Sequence, residues 1–264
     1  MASGANSPRQ KMINLMYLVF IAMLALNMSK EVLTTFGEIE RQIDKSSQKI
    51  NLANADALMA IEGSAKNNPI VWSEPFVTVD EIASLAEELH AYIEEIKIIK
   101  DKKGNVKKGY IDGIKMRDNK EGRTIDGNVP ELVGDYERMD NAKDFDELFF
   151  KGNNLKETGQ KLVDLIDEFR KKSLLAIDSS KIALNDTIKR KRWLDKIPSL
   201  KSVLLDKFNT DPVKVKASDG PQNWLMVNFK GFPEIASITK LTLIQENTAN
   251  FVKTLLSNVN DVLL

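Results

Sequence analysis

The chain has 264 residues and carries no formal net charge, because 38 lysines and arginines balance 38 aspartates and glutamates. It contains no cysteine and a single histidine, His90. The absence of cysteine excludes disulfides, thiol catalysis and cysteine-ligated metals. The single histidine excludes a histidine-rich metal site and any Ser–His triad that does not use His90. We predict no enzymatic activity, no cofactor and no bound metal. The charge balance gives no reason to expect a nucleic-acid partner.

The most prominent feature is the uncharged apolar run from Met12 to Met28, which contains neither glycine nor proline. As a helix it is about 25 Å long, and extension to Leu33 brings it to the thickness of the hydrocarbon core of a bilayer. A cleaved signal peptide is one interpretation, but Ala25-Leu26-Asn27 is a poor cleavage site. A buried helix of a soluble protein is a second interpretation, and an uncleaved transmembrane helix is a third.

We favour the transmembrane helix, because the run is apolar all round except for three polar side chains. Two basic residues precede the run, whereas Lys30 after it is offset by Glu31, so the positive-inside rule places the amino terminus in the cytoplasm. The predicted division is a cytoplasmic tail over residues 1–7, a transmembrane helix over residues 8–33 and an external domain over residues 34–264.

Asn14 and Tyr17 are polar residues inside the run, about one helical turn apart and on a similar face. They are either interfacial residues, with Tyr17 as an aromatic anchor, or part of a face that packs on other membrane helices through hydrogen bonds. No acidic residue precedes Glu31, so a protein that works with protons would need a partner's carboxylate. Arg9, a permanent cation at the membrane edge, is then the natural counter-charge, or it serves only to set the topology.

The external domain begins as a continuation of the same helix. No glycine or proline interrupts the chain from Arg9 to Phe36, which predicts a rigid helix running out of the membrane. An apolar seam with spacings of three, four or seven residues extends this helix as far as Gly63. The seam consists of Leu33, Phe36, Ile39 (or Glu40), Ile43, Ile50, Ala53 (or Asn54), Ala57 and Ile61.

The middle of the chain predicts a loop, a second helix and an insert. Residues 66–79 contain two prolines and predict the loop. A capping box at Thr78 and Glu81 starts an amphipathic helix, with His90 at the boundary of its apolar face. Residues 101–142 contain six glycines and predict a small irregular or β-hairpin insert.

The last part of the sequence predicts five more helical segments. A short helical turn after Asp144 ends at Gly152, and Asn153 or Asn154 caps the helix that follows. Pro198 separates two shorter helices over residues 179–193 and 199–208, and a final helix begins after Pro233. That helix stays amphipathic to its last residue without a capping signal, which predicts that the chain is truncated at residue 264. The predicted fold is mostly α, with one amino-terminal transmembrane helix that continues into a helical bundle.

Two segments resemble a known family. Residues 8–27, PRQKMINLMYLVFIAMLALN, resemble the amino-terminal signature of the GldM (also called PorM) family of inner-membrane gliding-motility and type IX secretion proteins. Residues 224–245, which include FPEIASITKLTLIQ, resemble the segment that closes the first periplasmic domain of that family. The two segments frame almost the whole chain, and the part between them is similar only as a helical pattern with a variable insert.

The resemblance implies a homodimer in the bacterial inner membrane, with a cytoplasmic amino terminus, a single transmembrane pass and a periplasmic bulk. It implies that the membrane helices lie inside a ring of multi-span GldL subunits, and that this motor uses the proton-motive force to move the periplasmic part. Through β-rich domains absent here, the periplasmic part would reach an outer-membrane-associated ring and drive secretion and gliding. Arg9, Asn14 and Tyr17 fall within the matched signature and are carried over as motor-interface residues, with Arg9 as the partner of a GldL carboxylate.

Two other functions compete with this one. A signal-anchored periplasmic scaffold or sensor module without motor activity is the main alternative. Sensors of that kind usually return to the membrane through a second span, and the sequence contains no second apolar run. An exported hydrolase with a cleaved leader is the other alternative, and no nucleophile–base constellation supports it.

Overall fold

The computed structural model describes residues 8–97, 136, 139–215 and 220–264, and of residues 8, 9 and 22–29 it describes the backbone alone. The described residues form seven α-helices and one β-hairpin, which confirms the mostly α prediction. The elements are α1 Pro8–Asn67, α2 Pro69–Lys97, α3 Lys143–Phe149, β1 Phe150–Lys151, β2 Asn154–Leu155, α4 Glu157–Ser179, α5 Thr187–Lys207, α6 Trp224–Phe229 and α7 Glu234–Leu263.

Five long helices, α1, α2, α4, α5 and α7, form the bundle. A single residue, Asn68, joins α1 to α2, so the two helices form an antiparallel hairpin. The hydroxyl of Tyr92 near the end of α2 donates to the carbonyl oxygen of Thr158 at the start of α4 (2.8 Å), which makes this pair antiparallel as well. The direction of α7 is parallel to α1, since Thr242 donates to Glu40 (2.8 Å) and Asn54 donates further along to Ala249 (2.8 Å).

The last helix, α7, lies at the centre of the bundle and contacts α1, α2 and α5. Its apolar seam was predicted correctly, and every one of its members is buried: Ile235, Ile238, Leu241, Val252, Leu255, Val259 and Val262. Phe251 of α7 packs edge-on against Phe169 of α4, with 5.8 Å between the ring centroids. Burial of each such side chain contributes about 1.5–3 kcal/mol, so this packing is the main source of stability.

Aromatic residues close the end of the bundle at which α7 begins. Phe149 at the end of α3 packs edge-on against Phe229 of α6, with 5.5 Å between the centroids. The chain then turns through the hairpin, where Gly152 adopts a φ of 65°, a left-handed conformation that glycine adopts at no steric cost. Gly159 in the first turn of α4 lies so close to this layer that an added Cβ would come within 2.9 Å of Leu225 and of the carbonyl oxygen of Phe149.

The first helix has a free part and a packed part. α1 is continuous over 60 residues, as predicted from the absence of glycine and proline, and is about 90 Å long. Residues 10–21 are exposed except for the half-buried Ile13, and Leu33 is the first buried residue among the side chains of α1 that the structure describes. Among the described residues, no helix combines the length and the apolar character needed to cross a membrane. The side chains of residues 22–29 lie outside the described part, and the transmembrane span over residues 8–33 stays a prediction.

Helix boundaries near prolines were predicted wrongly. α2 begins at Pro69, so the predicted loop over residues 66–79 is mostly helix, and Thr78 lies inside it with its hydroxyl bonded to the Glu74 carbonyl. α5 runs through Pro198 as one helix. Pro198 is exposed, and the Leu194 carbonyl that loses its N–H partner is on the same outer side, where water replaces the bond.

Three further boundaries differ from the predictions. α1 continues past Gly63 to Asn67, because an isolated glycine weakens a helix without ending it. Neither Asn153 nor Asn154 caps α4, whose N-cap is Lys156, because Asn154 pairs with Lys151 in the hairpin. Most of the predicted insert over residues 101–142 lies outside the described residues. The described hairpin is a separate feature that follows it.

We expect the same glycine-to-alanine substitution to have opposite effects at two positions of α1. At Gly37 an added Cβ would lie 2.3 Å from the Tyr136 ring, so Gly37→Ala is expected to destabilise the protein by about 1–3 kcal/mol. At Gly63 an added Cβ meets nothing within 4 Å, so Gly63→Ala is expected to stabilise the helix by about 0.5–1 kcal/mol. Thermal unfolding of the purified full-length variants measures both. Equal shifts of the midpoint would contradict the close approach of Tyr136.

Candidate functional site

The three residues predicted to face a motor partner lie in the free part of α1. Arg9 lies in its first turn, and its side chain is outside the described residues. Asn14 is exposed and accepts a hydrogen bond from Gln10 (3.5 Å), and Tyr17 is 62% exposed. The roles assigned to these residues stay predictions.

The packed part of α1 turns a different face inwards from the one predicted. Phe36 and Ile39 are 37% and 42% exposed, whereas Glu40 is 2% exposed and Asn54 is buried. Of the alternatives that the spacing left open, Glu40 and Asn54 therefore face the bundle, and Ile39 and Ala53 do not. The physical reason is that the partner helix α7 presents hydroxyl and carbonyl groups at these levels.

Polar groups form the contact between α1 and α7, which we call the polar seam. The residues of the seam are buried: Glu40, Asp44, Ser47 and Asn54 on α1, and Thr239, Thr242 and Thr248 on α7. Thr242 donates to the Glu40 carboxylate (2.8 Å), Thr239 shares its proton with the carbonyl oxygen of Phe36 (3.3 Å), and Asn54 donates to the carbonyl oxygen of Ala249 (2.8 Å). These three hydrogen bonds join the two helices, whereas the buried hydroxyl of Ser47 has no hydrogen-bond partner among the described residues.

A row of residues that are apolar apart from Ser46 consequently remains on the outer side of α1, and we call this row the outward stripe. Its positions alternate by four and three residues, which is the spacing of a coiled-coil seam. At 100° per residue, the stripe lies about a quarter turn from the polar seam. Its members are exposed or half-buried: Val32, Phe36, Ile39, Ile43, Ser46, Ile50, Ala53 and Ala57.

A buried charged network joins α2 to α7. Lys97 is buried and lies 3.0 Å from the Glu94 carboxylate, and it also donates to the side-chain oxygen of Gln245. The amide of Gln245 donates in turn to Glu94 (2.9 Å) and to the carbonyl oxygen of His90 (3.2 Å). Sequence reasoning missed this network. A polar residue, Gln245, within the otherwise apolar seam of α7 was the signal that could have revealed it.

A cavity of about 320 Å³ lies between α1, α2 and α7. Small side chains such as Ala83 and Ala86 leave this space open, and Asn54, His90 and Gln245 make part of its wall polar. A cavity of this size has room for several water molecules, which the polar part of its wall could bind. In the residues that the structure describes, no cluster of three metal-ligating side chains occurs.

The GldM N-terminal domain family model matches residues 31–261, which is most of the chain. The chain belongs to the GldM family. Family membership confirms the resemblance found in the sequence and makes the chain a component of the gliding-motility and type IX secretion machinery, in a family that is not a known enzyme family. The match runs from the start of the packed part of α1 to the last turn of α7. No curated protein matches the chain.

His90 makes the stability of this GldM domain depend on pH. Burial lowers the pKa of His90 below 6.5, Lys97 lowers it further, and the carboxylates of Glu94, Asp44 and Glu87 oppose the shift. The unfolded chain binds a proton at His90 more readily than the folded chain does. The free energy of unfolding therefore has its full value above about pH 6.5 and decreases as the pH drops below 6.5.

We therefore expect His90→Gln to flatten the dependence of stability on pH between about pH 7.5 and 5.5. His90 is the only histidine of the chain, so the difference between the two proteins isolates its contribution. Urea unfolding at a series of pH values measures it. Parallel curves for the two proteins would show that the pKa of His90 is the same in the folded and unfolded states.

Proposed function

We propose that this chain is a subunit of an inner-membrane motor that uses the proton-motive force to energise type IX secretion and gliding. Residues 8–33 cross the membrane, residues 1–7 lie in the cytoplasm, and the bundle lies in the periplasm. A ring of GldL-like multi-span subunits surrounds the membrane helices. Further periplasmic domains connect the bundle to components at the outer membrane. The chain transmits motion and does not catalyse a reaction.

The continuity of α1 carries this proposal. A single helix of 60 residues connects the apolar run to the polar seam at the centre of the bundle. A helix without a break transmits displacement along its axis, whereas a flexible linker would absorb it. The side chains of Met12, Leu15, Met16 and Phe20 are each at least 60% exposed, so this part of the helix has apolar surface that lipid or partner helices would cover.

The outward stripe supports a homodimer. Eight positions with alternating spacings of four and three extend over about 40 Å of α1, from Val32 to Ala57. A second copy related by a twofold axis along the helix presents the same stripe, so the surface is self-complementary. The stripe ends in Ala53 and Ala57, small residues that let two helix backbones approach closely.

We expect Arg9→Ala to abolish gliding and secretion while the complex with GldL stays assembled. No acidic residue precedes Glu31, so Arg9 is proposed to face a carboxylate of the GldL-like partner, and its loss removes that charge pairing. Gliding speed and secreted protein report output, and co-purification from membranes in mild detergent reports assembly. Lys11→Ala, two residues away, is the control. Normal gliding of the Arg9→Ala strain at normal expression would refute the role of Arg9.

Glutamate in the outward stripe is expected to dissociate the dimer. Ile39→Glu places a charge within the stripe, where a second copy would bury it. Leu52→Glu, on the opposite side of α1 at a residue that is 70% exposed, is the matched control. Sedimentation of the detergent-solubilised protein measures the mass of each variant. An Ile39→Glu variant that stays as dimeric as Leu52→Glu would exclude the stripe as the dimer interface.

Co-purification also separates the motor from the anchored scaffold. A small multi-span partner with an intramembrane glutamate, retained with the chain, supports the motor. A chain that is isolated alone as a dimer, with its apolar helix intact, would favour a signal-anchored periplasmic scaffold.

A further inference from the structure

Two turns of each of three helices enclose the cavity between α1, α2 and α7. Its lining residues lie within residues 51–58 of α1, 83–90 of α2 and 245–252 of α7. On each helix four lining positions are spaced by three, one and three residues, so one continuous face of each helix borders the same space. The volume of about 320 Å³ lies at the lower end of the range for ligand pockets, which is about 300–1,000 Å³.

The cavity has a polar end and an apolar end. His90 and Gln245 mark the polar end, where the amide of Gln245 donates to the carbonyl oxygen of His90 (3.2 Å). Because α2 is antiparallel to α7, Ala83 and Val252 lie at one level, about 10 Å further along the axis. Leu58 lies at the same apolar end, since α1 is parallel to α7. The shape therefore suits a ligand with a polar head and a compact hydrocarbon body.

Carboxylates outnumber ammonium groups around the polar end. Glu87 is exposed and lines the cavity, so its carboxylate lies at the opening to solvent. Burial lowers the pKa of His90, and the imidazole is therefore neutral at about pH 7 and adds no positive charge. The charged groups of the described residues that act on this imidazole are three carboxylates and one ammonium group: Glu94, Asp44, Glu87 and Lys97. This surplus of negative charge favours a cationic head group.

Two buried side chains on the cavity wall offer hydrogen-bond acceptors. Asn54 is 7% exposed and donates to the carbonyl oxygen of Ala249 (2.8 Å), and among the described residues no group donates to its side-chain oxygen. Thr248 is 2% exposed and donates to the carbonyl oxygen of Ile244 (2.8 Å), so its own oxygen can accept. An ammonium group donates three hydrogen bonds and accepts none. It therefore suits these acceptors and the Glu87 carboxylate better than a hydroxyl or a carboxylate does.

We propose that this cavity is a binding site for a small primary alkylammonium ion. The ammonium group lies among Asn54, Thr248 and Glu87, and the hydrocarbon body lies at the apolar end. Such a ligand contacts α1, α2 and α7 together and stabilises their packing. The site lies wholly within the packed part of the structure, so the proposal is independent of the motor function.

Three probes that share one hydrocarbon body test the choice of head group: cyclohexylmethylamine, cyclohexylmethanol and cyclohexylacetate. At about pH 7.5 the first is a cation, the second is neutral and the third is an anion. We expect the amine to bind roughly tenfold more tightly than the alcohol, because its hydrogen bonds are charge-assisted. We expect no binding of the acetate, because the Glu87 carboxylate repels it.

The imidazole of His90 reports binding at the polar end of the cavity. His90 is the only histidine of the chain, so isotope-labelled histidine gives the NMR signals of one side chain in the full-length protein in detergent. A shift of these signals that saturates with probe concentration measures the affinity of the site. Uptake of the probe by the detergent alone does not produce such a shift.

Two substitutions test the two ends of the site. Glu87→Gln keeps the size of the side chain and removes its charge, so we expect it to weaken binding of the amine several-fold and to leave binding of the alcohol unchanged. Glu88→Gln, at the next residue of α2 and outside the cavity lining, is the matched control. Ala83→Leu fills the apolar end and is expected to abolish binding of both probes. Glu87 is exposed, so its variant tests the charge even if Ala83→Leu does not fold.

Three results would overturn the proposal. The absence of a saturable shift with every probe would mean that the cavity holds only water. Equal affinities for the amine and the alcohol would exclude an ammonium ligand. An affinity for the amine that is the same in Glu87→Gln and Glu88→Gln would exclude the role of the Glu87 carboxylate. A saturable shift that depends on the charge of the probe and on Glu87 would support the site.

Discussion

The hydrogen bond between Thr242 and Glu40 determines how the longest helix of this GldM domain is oriented. Thr242 holds the buried Glu40 carboxylate against α7, so a rotation of α1 that brought Ile39 inwards would break this buried hydrogen bond. The apolar residues next to the seam are therefore held on the outside of the bundle. One internal polar contact thus produces an external apolar stripe, and this stripe is the surface on which we expect a second copy to pack.

The central helix α7 makes both polar and apolar contacts with its neighbours along its length. Its first half presents Thr239, Thr242 and Gln245 to α1 and α2, and its second half presents Phe251, Leu255 and other apolar residues to the rest of the bundle. Both halves bury apolar residues, and the cavity borders the middle of the helix at Gln245 and Val252. The first half differs in making polar contacts with α1 and α2 as well, and it lies towards the end of the bundle at which α1 enters.

Periodicity was sufficient to predict the helices that pack on one side only. The stripe of Leu162, Ile166 and Phe169 in α4 and the start of α7 after Pro233 were predicted correctly because apolar spacing and backbone chemistry agreed there. The inward face of α1 was not decided by its spacing, since Ile39 and Glu40 fit equally well and the residue that selects Glu40 is 202 positions away. The helix boundary predicted at Pro198 was wrong. The free-energy cost of a proline inside a helix depends on whether water reaches the carbonyl that loses its N–H partner, and only the fold determines that.

The polar seam stabilises the bundle less than apolar packing at the same place would. An apolar residue buried between α1 and α7 would add about 1.5–3 kcal/mol, whereas each hydrogen bond there adds about 0.5–1.5 kcal/mol net. Apolar packing is used elsewhere, as where Phe169 of α4 contacts Phe251 of α7. A second polar contact joins α2 to α7 through Lys97 and Gln245. The first half of α7 therefore makes polar contacts with two neighbouring helices, and one of these helices, α1, continues towards the proposed membrane span.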